Sequence, residues 1–268
     1  MSIFKLGLVA YFNTAPLRYG LAENLPSEIE ISYAPPAELN RLIAQGQIEA
    51  GLISSLAYAK YHEELLLLPD LSISATGRVG SVLFFFRGRL SELSGKPVAF
   101  TPESETSVAL LKLLLEDFYG VRPLYRVGRP EETDFGYLAI GDEALILRKT
   151  PPFPNVLDLG GIWTEKTGLP FVFAVLAIRK ESLQAFGDTV RLLARNLYLS
   201  RAKGLSHLDK LIEKERPEEL SYPEALTYLS GLEYDLSGLK QEALQVFFRH
   251  LARRGEISKI RRLSFVEL

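Results

Sequence analysis

The chain has 268 residues, 31 basic against 33 acidic, a formal net charge of −2 and no cysteine. That length buries a sizeable core as one large domain or two modest ones, and the charge balance lacks the basic footprint of a nucleic-acid binder. The absence of cysteine removes disulfides, thiolate nucleophiles and zinc–sulfur sites.

In chain order, residues 6–9 form a strand and 14–21 a helix. A strand over 29–33 alternates with period two, and Pro35-Pro36 breaks it before a helix over 37–44. A short buried strand over 50–53 leads through Ser54-Ser55 into a helix over 56–61. This alternation predicts βαβ units and a parallel sheet.

Residues 81–87 are a β-rich run, after which the alternation restarts with a strand over 98–101. A helix over 106–119 puts Val108, Leu111, Leu115 and Phe118 on one face. A strand over 137–140 stops at Gly141-Asp142-Glu143, whose acids suit the start of another helix. Strands over 156–159 and 170–178 follow. From Ser182 onward the pattern is helical, over 183–203, 206–214, 223–229 and 239–253, with Ser237 placed to cap the last helix and Gly255 to stop it.

The apolar strands 81–86 and 171–178 bracket the middle of the chain, as a discontinuous two-lobe protein requires. The predicted fold is therefore α/β. Residues 1–87 and 175–268 form a discontinuous first lobe carrying the C-terminal helices, and 88–174 an inserted second lobe. One continuous doubly wound sheet is the alternative. The apolar runs fall far short of the roughly 20 residues of a membrane helix. The N-terminus has no charged n-region followed by a long apolar stretch. A cytoplasmic protein with no membrane partner is expected.

The three histidines, His62, His207 and His250, lie in charge-rich helical segments and none follows a strand end. No HExxH or His/Asp cluster suggests a metal, and there is no GxSxG, P-loop or GxGxxG motif. What the chain does offer is small hydroxyls and amides at strand ends: Asn13-Thr14, Ser54-Ser55, Ser81 and Thr106-Ser107. Each alone is explained as a cap or turn. As a set they lie at the same end of their sheets, where open α/β sheets bind ligands, and hydroxyl donors with helix N-termini suit carboxylates. Asp142 is a proton acceptor or a helix cap; Trp163, Phe171 and Phe173 are cleft walls for a planar ring or plain core.

Six stretches carry a resemblance by their order and spacing. They are Gly7-x-Val9-x-Tyr11-Phe12-Asn13-Thr14-x-Pro16-Leu17, Gly51-Leu52-Ile53-Ser54-Ser55, Ser81-Val82-Leu83, Thr106-Ser107-Val108-Ala109, Ile140-Gly141-Asp142-Glu143, and Trp163 with Gly168-Leu169-Pro170-Phe171. From residue 7 to about 179 the chain resembles the chorismate dehydratases of the futalosine route to menaquinone.

The resemblance implies a fold similar to type 2 periplasmic binding proteins, with two crossing strands and a ligand cleft between lobes. It implies dehydration of chorismate, a dicarboxylate, to 3-(1-carboxyvinyloxy)benzoate, with no cofactor or metal. In that reading Thr106-Ser107 hold one carboxylate, while Asn13 and Ser81 orient the enolpyruvyl group or leaving hydroxyl with help from Ser54 or Ser55. The base is Asp142 or the substrate's own enolpyruvyl carboxylate, and Thr14, Gly141 and Phe171 complete the binding set. A monomer or homodimer is expected. Two alternatives stand beside this one. The first is the sister 1,4-dihydroxy-6-naphthoate synthase, which relies on a His in the inserted lobe, where this chain has none between His62 and His207. The second is a small-carboxylate binding protein without catalysis.

Overall fold

The computed structural model describes residues 3–260 and 262–268. The first part runs β1 (Phe4–Leu8), α1 (Ala15–Arg18), α2 (Leu21–Asn24), β2 (Ile29–Tyr33), α3 (Pro36–Ala44), β3 (Ala50–Ser54), α4 (Ser55–Tyr61) and β4 (Leu65–Ala75). The middle comprises β5 (Val82–Phe86), β6 (Pro97–Phe100), α5 (Glu105–Leu113), β7 (Leu124–Val127), β8 (Gly136–Ile140), α6 (Gly141–Leu147), β9 (Asn155–Asp158) and α7 (Leu159–Thr167). After β10 (Phe171–Arg179) come α8 (Lys180–Ser206), α9 (Leu208–Glu215), α10 (Tyr222–Ser230) and α11 (Gly238–Arg253).

The strands form two five-stranded sheets with the same plan, β2-β1-β3-β10-β4 and β7-β6-β8-β5-β9. In the first, β1 is parallel to β2 and β3, and β10 is antiparallel to β3 and β4. In the second, β6 is parallel to β7 and β8, and β5 is antiparallel to β8 and β9. The antiparallel fourth strand of each sheet is the one through which the chain arrives from the other. The 76–81 segment carries the chain out of β4 into β5, and 168–170 carries it back from α7 into β10. Pairing therefore puts β5 in the middle sheet and all of β10 in the first, whereas the sequence boundaries at 87/88 and 174/175 followed hydropathy alone.

Burial explains the central strands. Every residue of β3, β5 and β8 is buried, so both faces must be covered by helices, and an unbroken apolar run such as Val82–Phe86 suits that position. The edge strands β4 and β7 are absent from the sequence reading. Pro69 and the positive φ of Asp70 interrupt β4, and β7 is four residues long with no buried side chain. The edge of β4 is covered by C-terminal segments, through bridges between Ser74 and Glu233 and between Leu67 and Phe265. The helix expected over 14–21 is split where Gly20 adopts φ +63°. The helix expected over 106–119 is α5 followed by a wider π turn, Leu114–Phe118. Leu111 and Leu115 are buried there, while Val108 and Phe118 are half-buried.

Candidate active site

Where the two sheets face each other, the strand ends enclose a cavity of about 70 Å³, and no charged side chain lines it. Asn13, Thr14, Ser54, Ser81, Ser107 and Gly141 all line it, so six of the ten expected site residues converge. A wider groove of about 790 Å³ follows the outer face of the 76–81 connection, against α7 and α10, and none of the strand-end hydroxyls lines it.

Asn13 sits in a 3-10 turn, Phe12–Thr14, that follows β1 after Val9, Ala10 and Tyr11. Thr14 builds the turn: its hydroxyl donates to the Val9 carbonyl at 2.6 Å and accepts from Arg18 Nε at 2.9 Å. Its proton is thereby committed to the protein. Asn13 Oδ1 is buried with no partner among the described residues, and an unpaired buried acceptor costs about 1–3 kcal/mol.

The serines have the opposite polarity. Ser54 caps α4, accepting from Asn40 Nδ2 at 3.0 Å and from Ala57 N at 3.3 Å. Both its acceptor positions are filled, so its proton is left for the cavity. Ser81 Oγ accepts from Tyr228 Oη at 2.9 Å. Ser104 is the N-cap of α5, accepting from Ser107 N at 3.1 Å and donating to Ser107 Oγ at 2.9 Å. Ser54, Ser81 and Ser107 thus present hydroxyl donors, and Asn13 an acceptor. Gly141, at φ +57°, donates its N–H to the Ser81 carbonyl at 2.8 Å, and a Cβ there would stand 2.9 Å from the Tyr11 ring. Only glycine fits both conditions.

Four expected residues lie elsewhere. Ser55 Oγ donates to the Val172 carbonyl at 2.6 Å and ties α4 to β10. Thr106 Oγ1 accepts from Leu56 N at 2.8 Å, joining the two lobes outside the cavity wall. Asp142 Oδ1 accepts from Phe12 N at 3.2 Å and is not on the wall. Burial pushes its carboxyl up, against the Phe12 N–H and the Arg18 charge. Phe171 is core, with ring centroids 5.3 Å from Trp163 and 4.9 Å from Phe247, and it is Phe173 that walls the cavity. A register shift in β10 between Val172 and Ala174 sets Phe173 apart from Phe171, so only one of that aromatic neighbourhood lines the cavity.

Sequence reasoning missed Ser104 and Tyr11. Ser104 carried a signal, since a serine three residues before the first committed helical N–H is an N-cap pattern. Tyr11 lines the cavity, and its hydroxyl donates to the Glu103 carboxylate of the opposite lobe. Burial and that carboxylate hold the phenol well above its ordinary range, so it stays protonated. Ala37 N also donates to the Glu103 carbonyl at 3.2 Å, and Lys60 pairs with Glu105. The lobes are latched closed around the cavity. Among the described residues no His/Cys/Asp/Glu cluster is arranged to hold a metal ion.

The menaquinone biosynthesis family model matches residues 4–253. A chorismate dehydratase of Thermus thermophilus is 38% identical over 267 residues, covering 92% of this chain and 94% of that protein. A 1,4-dihydroxy-6-naphthoate synthase of the same organism is 25% identical over 288 residues, covering 99% and 100%. Among solved structures, a Candida albicans protein described as having the generic periplasmic binding protein fold superposes with a TM-score of 0.66 at 12% identity, over 100% of this chain and 98% of that one. The repeated sheet plan, the cleft at the strand ends and the near-complete family match agree, and the chain belongs to the menaquinone biosynthesis family with a periplasmic-binding-protein-like α/β fold.

Proposed function

We propose that this protein is a hydro-lyase that dehydrates chorismate to 3-(1-carboxyvinyloxy)benzoate. The observation that carries this reading is the polarity of the cavity. Three hydroxyl donors come from Ser54, Ser81 and Ser107, and the one orphaned acceptor is Asn13 Oδ1. Chorismate matches that pattern, with two carboxylates that only accept and one ring hydroxyl that donates. The sequence similarity to a chorismate dehydratase over 92% of the chain supports the same substrate.

The chemistry asks little of the protein beyond placement. The ring C–H bond breaks, its electron pair becomes the new ring π bond, and the C–O bond to the hydroxyl breaks. The released proton and hydroxide leave together as water, and aromatisation supplies the driving force. Holding two anions dry and aligned is the main requirement. The donors at the α4 and α5 starts, Ser54 and Ser107, grip the carboxylates, and Asn13 with Ser81 orient the enolpyruvyl group and the leaving hydroxyl. The base is the substrate's enolpyruvyl carboxylate, which takes the ring proton and passes it to the departing hydroxide. Asp142 is a weaker candidate because its carboxylate is spent on Phe12 N behind the wall. The reading includes a cytoplasmic location and a monomer or homodimer.

The test is incubation of the purified protein with chorismate, followed by ultraviolet absorbance and mass spectrometry. Catalytic formation of a product lighter by one water supports the reading. Unchanged chorismate overturns it, and chorismate bound without turnover then identifies a binding protein.

A further inference from the structure

The C-terminal helices contribute no strand to either sheet, yet one short segment of them reaches both residues that flank the reacting hydroxyl in the reading above. Tyr228, in α10, is buried, and its ring stacks on Phe12 with centroids 6.0 Å apart. Its Oη donates to Ser81 Oγ at 2.9 Å, and the Asn13 side chain faces the same hydroxyl. Six residues on, Tyr234 Oη donates to the Asn13 carbonyl at 2.9 Å. That segment is itself fixed to β4: Glu233 and Ser74 exchange two backbone hydrogen bonds of 2.9 Å, and Ser72 N donates to the Tyr234 carbonyl at 3.1 Å.

A serine hydroxyl on a cavity wall is ordinarily free to rotate, donating or accepting. With a tyrosine donor seated on its oxygen, Ser81 keeps its own proton for what lies in the cavity. Asn13 enters from one lobe, after β1, and Ser81 from the connection leading into β5. A single segment between Tyr228 and Tyr234 therefore sets the relative position of the two.

We propose that Tyr228 is a positioning residue of the dehydration, committing the Ser81 hydroxyl to donate to the substrate by donating to its oxygen. The inference rests on the chorismate reading. Tyr228 does not line the cavity and acts through the wall residues its hydroxyl meets, Ser81 first. Burial and the Asp142 and Asp158 carboxylates raise its phenol above the ordinary range, so it remains a donor across the working pH.

The experiment compares Tyr228→Phe, Ser81→Ala and the double variant with the wild type on chorismate. Tyr228→Phe is expected to lower kcat about 10- to 100-fold with KM changed less than about threefold. The double variant is expected to lose clearly less than the two single losses combined, because the hydroxyl that the tyrosine orients is gone. A purely structural role gives a lowered melting temperature with kcat of the folded enzyme within twofold, or losses that add in the double variant; either result overturns the inference. If Tyr228→Phe does not fold, 3-fluorotyrosine at position 228 keeps the shape and strengthens the donor, and an unchanged kcat in that protein overturns it equally. Failure of the wild type to turn over chorismate removes the substrate reading and the inference with it. An active wild type beside a fully active Tyr228→Phe removes the inference alone.

Discussion

At Asn13 the cavity presents a buried acceptor without a donor, while Ser54, Ser81 and Ser107 each accept a hydrogen bond from the protein. Replacing the amide with a carboxylate sets a negative charge beside a dianion. Asn13→Asp is therefore expected to lose turnover by about 100-fold or more, since two like charges a few ångströms apart in a closed site cost several kcal/mol. Steady-state kinetics on chorismate check it, and near-wild-type activity refutes the placement of Asn13. Asp142 separates the two candidate bases. Asp142→Asn keeps an acceptor for Phe12 N, and kcat is expected to stay within about tenfold if, as proposed, the proton goes to the substrate; a far larger loss puts the base on Asp142. Its pH signature has a definite sign. The folded carboxyl titrates above the unfolded one, so the folded state binds the extra proton and stability falls as pH rises from the ordinary carboxylate range through the raised value. At pH 7 the melting temperature of Asp142→Asn should lie at or above that of the wild type, with the difference closing as pH falls below the carboxylate range.

At the level of elements, the cavity is built by turns and helix starts. The α6 start depends on Gly141, where φ is +57° and a Cβ meets the Tyr11 ring. Gly141→Ala is expected to cost about 1–2 kcal/mol for the left-handed backbone alone, with more for displacing Tyr11. The readout is a lower melting temperature together with a raised KM. The α4 and α5 starts meet through Leu56 N and Thr106 Oγ1. In Thr106→Val that buried N–H is orphaned, so closure of the lobes should weaken by about 1–3 kcal/mol, seen as a KM increase larger than the fall in kcat. Most elements here were legible from periodicity. The strands 29–33 and 50–53 and the helices 37–44 and 239–253 lie within a residue or two of their observed bounds. The edge strands β4 and β7 were not, because one is broken by Pro69-Asp70 and the other buries nothing. Their strand character comes from the neighbour they pair with.

Across the whole molecule, five contacts latch the lobes over a cavity of about 70 Å³: Tyr11–Glu103, Ala37–Glu103, Leu56–Thr106, Phe12–Asp142 and Lys60–Glu105. A ligand of chorismate's size enters only when those contacts open about the 76–81 and 168–170 connections. The radius of gyration in solution should therefore fall on adding the product, 3-(1-carboxyvinyloxy)benzoate, and amides of the 76–81 segment should exchange more slowly. An unchanged scattering curve with demonstrated binding counts against lobe closure.

The alternation of strands and helices, the hydroxyls at strand ends and the kinship with the menaquinone biosynthesis family were determined by the sequence alone, since each is written in local periodicity or in motifs of fixed spacing. The tertiary structure decided which member of each neighbouring pair lines the cavity. Ser54 does and Ser55 does not, Ser107 does and Thr106 does not, Phe173 does and Phe171 does not. Adjacent residues at a helix start point in different directions, and in β10 a register shift between Val172 and Ala174 sets Phe173 apart from Phe171; only the packing of the second lobe establishes which direction is the cleft. Tyr228 and Tyr234 were beyond local reading for the same reason. Their partners lie 147 and 221 residues away in the chain, and a hydroxyl acquires its role from the group it meets rather than from its neighbours in sequence.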